Sequence, residues 1–325
     1  MTTTIVRQGA PAHPRRSMTI PTAIPDGTLR CAYYHPRLAP WFGLAVLFAI
    51  AILARAAVAA PSDTYDAAHL SSVELERLAF AGRLLGGVRN FQRQPFLLLT
   101  DAPDLNGPAV LAALDAVYQW TRRDFPFLLP PRRAVPLIVF ASDQEFNAFW
   151  RRLGSPSGVS LEAVPQGVAG RTIESVATSH FQEWPEDGLA LYVHEASHAL
   201  LHQMFGIGAG GNWLAEGVAT NYEWQVSQPD VHAVRAGLAD PGGRMPLETL
   251  LNGERVPRER YWQAALVVQW LLDDPLRRVQ LPTLFAAMRE EGSVDARQLV
   301  GRYLGMSVND VEEAWLTWAH AQYSG

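Results

Sequence analysis

The feature that most constrains the fold of this chain is a pair of histidines placed four residues apart in an apolar stretch. His194 and His198 lie within Leu189–Met204, a run rich in apolar residues that is typical of a buried helix. On a helix, residues four apart share a face and lie about 6 Å apart along the axis. Two imidazoles in this arrangement can bind one metal ion, and Glu195 lies beside the same face. The sequence therefore predicts a core helix that carries two metal ligands and a neighbouring carboxylate.

A second segment supplies a third candidate ligand. The helical pattern ends at the glycine-rich residues 206–211, and Asn212 can then cap a second helix over Trp213–Trp224. Glu216 falls in the first turn of that helix, and a glycine turn can bring such a residue back over the first helix. Three ligands of the His, Asp, Glu or Cys type, with a fourth position open to water, define a catalytic zinc site. The alternative is a solvated Glu216 that interacts only with the positive end of the helix dipole.

These two segments resemble the metal-binding segments of the gluzincins, a clan of zinc metallopeptidases. Residues 194–198 match the His-Glu-x-x-His motif, and residues 212–219 are similar to the W-L-x-E-G-x-A signature. In that clan the two histidines and a Glu on the next helix hold the zinc ion. The resemblance therefore implies one Zn²⁺ per chain with three ligands, which are His194, His198 and Glu216. It also implies that Glu195 is the general base.

Two other positions are poor candidates for the third ligand. In the metzincin pattern a third histidine follows ten residues after the first, and that position is Met204 here. His202 lies on the same helix as His194 but about 12 Å further along its axis, which is too far for both to bind one ion. We therefore expect His202 to be a core or surface residue.

The order of the predicted elements indicates the fold class. From about Phe96 to the C-terminus the chain resembles the bacterial peptidase MA-like proteins, which are secreted or anchored gluzincins. The predicted strands and helices of this part are Phe96–Thr100, Pro108–Phe125, Val135–Ala141 and Asp143–Leu153, followed by two strands joined by a turn within Gly158–Ser179. Strands followed by helices favour an α+β fold. The resemblance implies a zincin-like fold, in which a small mixed sheet places an edge strand over the active-site helix.

The chain is expected to divide after the second metal-binding helix. Residues 61–226 are predicted to form an N-terminal α+β part, which begins with a helix at Asp66–Gly86 and contains the metal-binding helices. Residues 227–325 are predicted to form a mostly helical C-terminal part that completes the cleft. Its first segment, Ser227–Met245, is rich in Pro, Gly and Asp and is predicted to be a linker. The helices predicted after it are Pro246–Leu251, Glu259–Asp273, Leu281–Glu290, Asp295–Leu304 and Ser307–Gln322.

The N-terminal 60 residues differ in composition from the rest of the chain. Residues 1–37 are rich in Pro, Thr and Arg without periodicity, which predicts a disordered basic arm. Residues 38–60 begin with seventeen uncharged residues and end in small residues that suit a signal-peptide cleavage site after Ala59. A run of this length is at the short limit for a membrane span, so a signal peptide is favoured over a membrane anchor. Both alternatives predict export to the periplasm or the extracellular space, with inner-membrane association through this segment in the anchored case. A translation start at Met18 instead of Met1 would shorten the arm.

Charge and cysteine content limit the classes of partner and site. Residues 1–59 carry a net charge of +5 from six Arg and one Asp, whereas the remainder carries −10 from 21 Arg and 31 acidic residues. The acidic body disfavours nucleic acid as a partner. Cys31 is the only cysteine, so the chain has neither a disulfide framework nor a cysteine metal site. The expected partner is a peptide or protein substrate, and the sequence leaves the oligomeric state open.

Two further roles in such a site have candidate residues downstream. Several gluzincins use a Tyr or His to stabilise the oxyanion, and Tyr261, which precedes an amphipathic helix, resembles that position. Tyr222 and His232 compete for this role, and Tyr261 can equally be a packing residue. Thermolysin-like relatives place an Asp four residues after the Glu ligand, where this chain has Thr220. Thr220 or Asn221 could orient a ligand instead.

These features favour a secreted or membrane-anchored zinc metallopeptidase in which Glu195 accepts a proton from the attacking water. One alternative is a non-catalytic peptide- or protein-binding protein on the same scaffold, which the intact Glu195 disfavours. The other is a zinc hydrolase that acts on a non-peptide bond. The sequence contains no Gly-x-Met-Glu-Asn-type segment, with which aminopeptidases of this clan bind a free amine, so an aminopeptidase is disfavoured.

Overall fold

A computed structural model describes residues 81, 85, 87–153, 168–182, 185–206 and 211–323. All of them belong to Thr64–Gly325, one of the two units into which the chain divides. The predictions for residues 1–37 and 38–60 lie outside the described residues, as does most of the helix predicted at Asp66–Gly86. Of the helices in the described ranges, none combines the length and the apolarity that a membrane span requires.

The described residues contain one mixed sheet of five strands in the order β1–β2–β3–β5–β4. These strands are β1 (Arg89–Arg93), β2 (Phe96–Thr100), β3 (Val135–Phe140), β4 (Gly170–Ile173) and β5 (Val176–His180). The three inner strands β2, β3 and β5 are parallel, and an antiparallel strand is added at each edge. The edge strand β4 is joined to β5 by a tight turn and pairs with it along one edge, and no other described strand pairs with β4.

Helices cover both faces of this sheet. All six residues of β3 are buried, as expected for a central strand with a helix layer on each side. Its alternate residues belong to two different cores because successive side chains of a strand point to opposite faces. Helices α1 (Gly107–Asp124) and α3 (Pro185–Phe205) pack in the larger core, and α2 (Asp143–Leu153) packs in the smaller one.

The predicted start of α2 is confirmed in detail. The Ser142 hydroxyl accepts a hydrogen bond from the backbone N–H of Glu145 at 3.3 Å. The Glu145 carboxylate in turn accepts one from the backbone N–H of Ser142 at 3.2 Å. This reciprocal pair is a capping box, which fixes the start of the helix.

The two helices that carry the predicted metal ligands also form close to their predicted bounds. Helix α3 starts four residues before the predicted Leu189 and ends one residue after Met204. Helix α4 (Trp213–Val226) begins at the predicted residue, since the Asn212 side chain accepts hydrogen bonds from the backbone N–H groups of Leu214 and Ala215, both at 3.1 Å. Helix α4 packs against α3 on one side and against the first long helix of the C-terminal part on the other.

The C-terminal part is mostly helical, as predicted. Its helices are α5 (Val231–Ala239), α6 (Leu247–Leu250), α7 (Tyr261–Asp273), α8 (Pro275–Arg278), α9 (Leu281–Glu291), α10 (Arg297–Leu304) and α11 (Val308–Tyr323). Short 3-10 turns at Pro241–Gly243 and Arg258–Arg260 connect some of them. The described part of the chain is thus an α+β structure with a small mixed sheet and a helical C-terminal part.

The prediction of a linker over Ser227–Met245 is wrong, because this segment contains helix α5. The Asp230 side chain caps that helix by accepting a hydrogen bond from the backbone N–H of Ala233 at 3.0 Å. Val234 and Leu238, four residues apart, are buried on its inner face. The Pro, Gly and Asp residues at the two ends of the segment predict a linker, but the residues between them form a short amphipathic helix.

Candidate metal centre

Three side chains from two helices meet at one point inside the protein. His194 and His198 lie one turn apart on α3, and Glu216 lies in the first turn of α4. The ligand atoms of the three residues all lie within 4.8 Å of one another. The Nε2 atoms of the two imidazoles are 3.1 Å apart, and Glu216 Oε2 lies 3.3 Å from the first and 3.4 Å from the second. This group could hold a metal ion.

The environment of the Glu216 carboxylate fits a bound cation. Its Oε2 atom is buried and has no hydrogen-bond partner of good geometry among the described residues, although both imidazoles lie within ion-pair distance. Burial by itself would raise the pKa of Glu216, but His198 and His194 outweigh it and hold that pKa well below its ordinary range. A charged oxygen and two imidazole nitrogens that converge on one point suit a divalent ion such as Zn²⁺.

The close packing of α4 against α7 depends on a glycine. A Cβ atom on Gly217 would lie 2.6 Å from the backbone oxygen of Ala264 and 2.7 Å from a methyl group of Val268. No side chain therefore fits at this position without moving α7 away. Because Tyr261 is the first residue of α7, this contact also places Tyr261 beside the metal centre.

A residue that the sequence prediction missed supports the first ligand. The Nδ1 atom of His194 hydrogen-bonds to Glu223 Oε2 at 2.9 Å. Glu223 follows Glu216 by seven residues, two helical turns, and so lies on the same face of α4. A carboxylate bound to the far nitrogen of a ligand histidine fixes the ring and its tautomer, so that Nε2 is free to bind a metal.

The residues predicted for this orienting role are placed differently. The Asn221 side chain accepts a hydrogen bond from Gln269 of α7 at 2.9 Å. The Thr220 hydroxyl is buried and has no hydrogen-bond partner among the described residues. Neither bonds a ligand histidine. The spacing of seven residues from Glu216 is the signal that could have identified Glu223.

The charge of His194 depends on the two carboxylates beside it. Burial would lower the pKa of this imidazole, but the adjacent carboxylates of Glu216 and Glu223 raise that pKa to about 10. Before a metal binds, the two carboxylates therefore hold a proton on His194 at neutral pH. A metal ion must displace that proton, since an imidazole binds metals in its neutral form.

Glu195 lies beside the ligands but has a different environment. Its carboxylate is buried, and Thr172 of the edge strand β4 donates a hydrogen bond to Glu195 Oε2 at 2.7 Å. Burial raises the pKa of Glu195, and the nearby His198 and His194 offset this only in part. A carboxylate with a raised pKa, next to a metal centre, is suited to accept a proton.

Tyr261 lies against the metal centre. Its ring stacks on the imidazole of His194, with centroids 5.9 Å apart and planes inclined by 16°. Burial raises the pKa of the Tyr261 hydroxyl, and the charge of Glu216 raises it further, so the group stays a hydrogen-bond donor at physiological pH.

The other candidates for the oxyanion role lie elsewhere. Tyr222 is buried in the core, where its ring packs 5.7 Å from that of Trp120. His232 is exposed on α5, outside the set of residues that line the cleft. His202 lines the cleft one helical turn beyond His198, but it is not part of the group that could hold a metal.

A cleft of about 1570 Å³ opens onto the metal centre. Strand β4 forms one wall, helices α4 and α5 form another, and residues 255–262 close one side. All four residues of β4 line the cleft and are half-buried. The cleft therefore places the edge strand of the described sheet next to the buried group of His194, His198 and Glu216.

Comparisons with known proteins add no family assignment. No family model matches the chain, and no curated protein matches it. Any assignment of function therefore depends on the residues of the site.

Proposed function

We propose that this protein is a zinc-dependent metallopeptidase of the gluzincin type. The observation that carries the proposal is the convergence of His194, His198 and Glu216 on one point with a separate buried carboxylate, Glu195, beside them. A metal site that is only structural needs no such neighbour and is closed by a fourth protein ligand. Among the described residues the group has three members, which would leave one coordination position open.

The zinc ion would supply the electrophile, because it lowers the pKa of a bound water to about 7 and polarises a carbonyl group. The side chains of this chain supply the rest. Glu195 accepts a proton from the attacking water and delivers it to the leaving amine. Tyr261 donates a hydrogen bond to the oxygen that develops negative charge. Glu223 keeps the His194 ring oriented toward the metal.

The outer edge of β4, which no other described strand pairs with, suits a peptide substrate. An extended peptide can add to an exposed strand edge through main-chain hydrogen bonds. Strand β4 lines the cleft, and its Thr172 side chain hydrogen-bonds to Glu195. A peptide paired with it would run past the metal centre with its carbonyl groups within reach of the ligands. This supports a peptide bond as the target.

The proposal is tested by metal analysis and peptide cleavage on the same preparation of the full chain. We expect about one zinc ion per chain and cleavage of a mixed peptide library, detected by mass spectrometry. Removal of the metal with a chelator should abolish cleavage, and added Zn²⁺ should restore it. A protein that holds zinc but cleaves no peptide would reject the peptidase. Cleavage that survives complete removal of the metal would reject the role of zinc.

A further inference from the structure

The edge strand β4 contacts Glu195 through the side chain of Thr172. The Thr172 hydroxyl oxygen lies 2.7 Å from Glu195 Oε2 and 2.9 Å from the backbone carbonyl oxygen of Glu195. Both are acceptors, and a hydroxyl has one proton, so it donates to one of them at a time. Hydrogen bonds to an ionised acceptor are about twice as strong as neutral ones. When Glu195 is ionised, the hydroxyl therefore donates to its carboxylate.

The same face of β4 makes a second contact with Glu195. Gly170 lies two residues before Thr172, and residues two apart on a strand point to the same side. A Cβ atom on Gly170 would lie 2.7 Å from Glu195 Cγ and 2.8 Å from Glu195 Oε1. Any side chain here would displace the carboxylate. Arg171, between them, points to the opposite face, where its guanidinium lies 4.5 Å from the ring centroid of Trp150.

We propose that Thr172 is a positioning residue that fixes the Glu195 carboxylate against β4, in a space that Gly170 leaves open. The inference rests on the proposed function, in which Glu195 is the general base. A glutamate side chain has several rotatable bonds, and a base must lie within about 2.6–3.2 Å of the proton that it removes. One oxygen of Glu195 is held by the hydroxyl, and the other lies against the bare backbone of Gly170. The strand that would bind the substrate thus also sets the geometry of the base.

Kinetics on three variants test this role. Thr172→Val removes the hydroxyl but keeps the shape, and Thr172→Ser keeps the hydroxyl. A misplacement of about 1 Å costs on the order of 10²-fold in rate, so Thr172→Val should lower kcat by about 10- to 100-fold. KM and zinc content should stay close to those of the wild type, and Thr172→Ser should restore most of kcat. Thr249→Val, at an exposed position on α6, is the matched control and should leave kcat unchanged.

The opposite kinetic result would overturn the proposal. Wild-type kcat in Thr172→Val would show that Glu195 needs no such support. Equal losses in Thr172→Val and Thr172→Ser, together with a lower zinc content, would show that Thr172 only packs β4 against α3.

A second measurement tests the same contact without any enzymatic activity. Thr172→Val is made in the wild-type chain and in the Glu195→Ala chain, and the midpoint of thermal unfolding, Tm, is measured for all four proteins. If the hydroxyl bonds the carboxylate, Thr172→Val should lower Tm by several degrees more when Glu195 is present. In the Glu195→Ala background the hydroxyl can still donate to the backbone carbonyl, so a smaller loss is expected there.

This double-mutant cycle of four proteins distinguishes a failure of this inference from a failure of the proposed function. Equal Tm losses in the two backgrounds would reject the contact between Thr172 and the Glu195 carboxylate, whatever the protein catalyses. Unequal losses in a protein that cleaves no peptide would support Thr172 as the positioning residue of Glu195 and reject the peptidase alone.

Discussion

Two buried carboxylates at the metal centre have opposite electrostatic environments. Glu195 and Glu216 are almost equally buried, at 6 % and 4 % exposure, and burial raises the pKa of each. The pKa of Glu195 remains raised, whereas the two histidines lower that of Glu216 far below its ordinary value. The difference is one of position, because Glu216 Oε2 lies within 3.4 Å of both imidazoles and Glu195 Oε2 has the Thr172 hydroxyl as its partner.

This difference in pKa distinguishes the two roles that a glutamate can have in such a site, metal ligand and general base. A carboxylate held in its charged form can bind a metal ion at every physiological pH. A carboxylate whose pKa is raised takes up a proton more readily and can act as a base. Pairs of titratable groups whose environments move their pKa values apart are a recurrent basis for assigning acid and base roles. Burial alone would not have distinguished these two glutamates.

Loss of the base should have the largest effect on hydrolysis. Glu195→Gln keeps the size of the side chain but cannot accept a proton, so we expect kcat to fall by about 10²–10⁴-fold. Initial rates on a cleaved peptide measure this, and Glu248→Gln at an exposed position of α6 is the matched control. Wild-type rates in Glu195→Gln would remove the base from the mechanism.

The hydroxyl of Tyr261 is expected to act in the transition state. Tyr261→Phe keeps the ring that stacks on His194 and removes the donor, so kcat should fall by about 10²–10³-fold with little change in KM. Steady-state kinetics and zinc content are compared with those of Tyr303→Phe, on α10. An unchanged kcat would make Tyr261 a packing residue.

Glu223 should affect the metal more than the chemistry. Replacement of a residue that orients a ligand typically weakens metal binding by about 10–100-fold, so Glu223→Ala should raise the Kd for zinc by that factor. Competition with a chromophoric chelator measures the change. If the affinity is that of the wild type, the hydrogen bond to His194 does not tune the site.

Zinc binding should release about one proton and become tighter as pH rises. The folded protein raises the pKa of His194 from its ordinary 6.5 to about 10. His194 therefore carries its proton at neutral pH. The contribution of this proton to the stability of the metal-free protein is complete below about pH 6.5 and is lost as pH rises through 10. Zinc competes with it, so Kd should fall by up to about tenfold per pH unit in this window. Calorimetry in buffers of different ionisation enthalpy counts the proton. A Kd that does not change with pH would contradict this account of His194.

The meeting of His194, His198 and Glu216 could be predicted because local rules fix their positions. The spacing of His194 and His198 places both on one helical face, and the capping residue Asn212 sets the turn in which Glu216 lies. Glu223 follows the same periodicity, but the thermolysin-like pattern places the orienting residue four positions after Glu216, at Thr220. The expectation for Thr220 came from the family resemblance, whereas helix periodicity alone would have indicated Glu223.

Other features depend on contacts between distant segments. Thr172 meets Glu195 across 23 residues of sequence, and only the packing of β4 on α3 reveals the contact. Strand β1 was not predicted, since Phe91 is its single apolar residue and its pairing with β2 determines the structure. Helix α5 was not predicted because Pro, Gly and Asp at the ends of its segment indicate a linker. The helical spacing of Val234 and Leu238, which are both buried, was the signal for it.

The most direct test of the central claim, that the two glutamates have different roles, is the zinc content of two matched variants. Glu195→Gln and Glu216→Gln each replace one buried carboxylate by its amide, and both proteins are purified alongside the wild type for elemental analysis. We predict that Glu195→Gln retains about one zinc ion per chain and that Glu216→Gln loses most of it. Equal zinc contents in the two variants, whether both high or both low, would contradict the assignment of one carboxylate as ligand and the other as base.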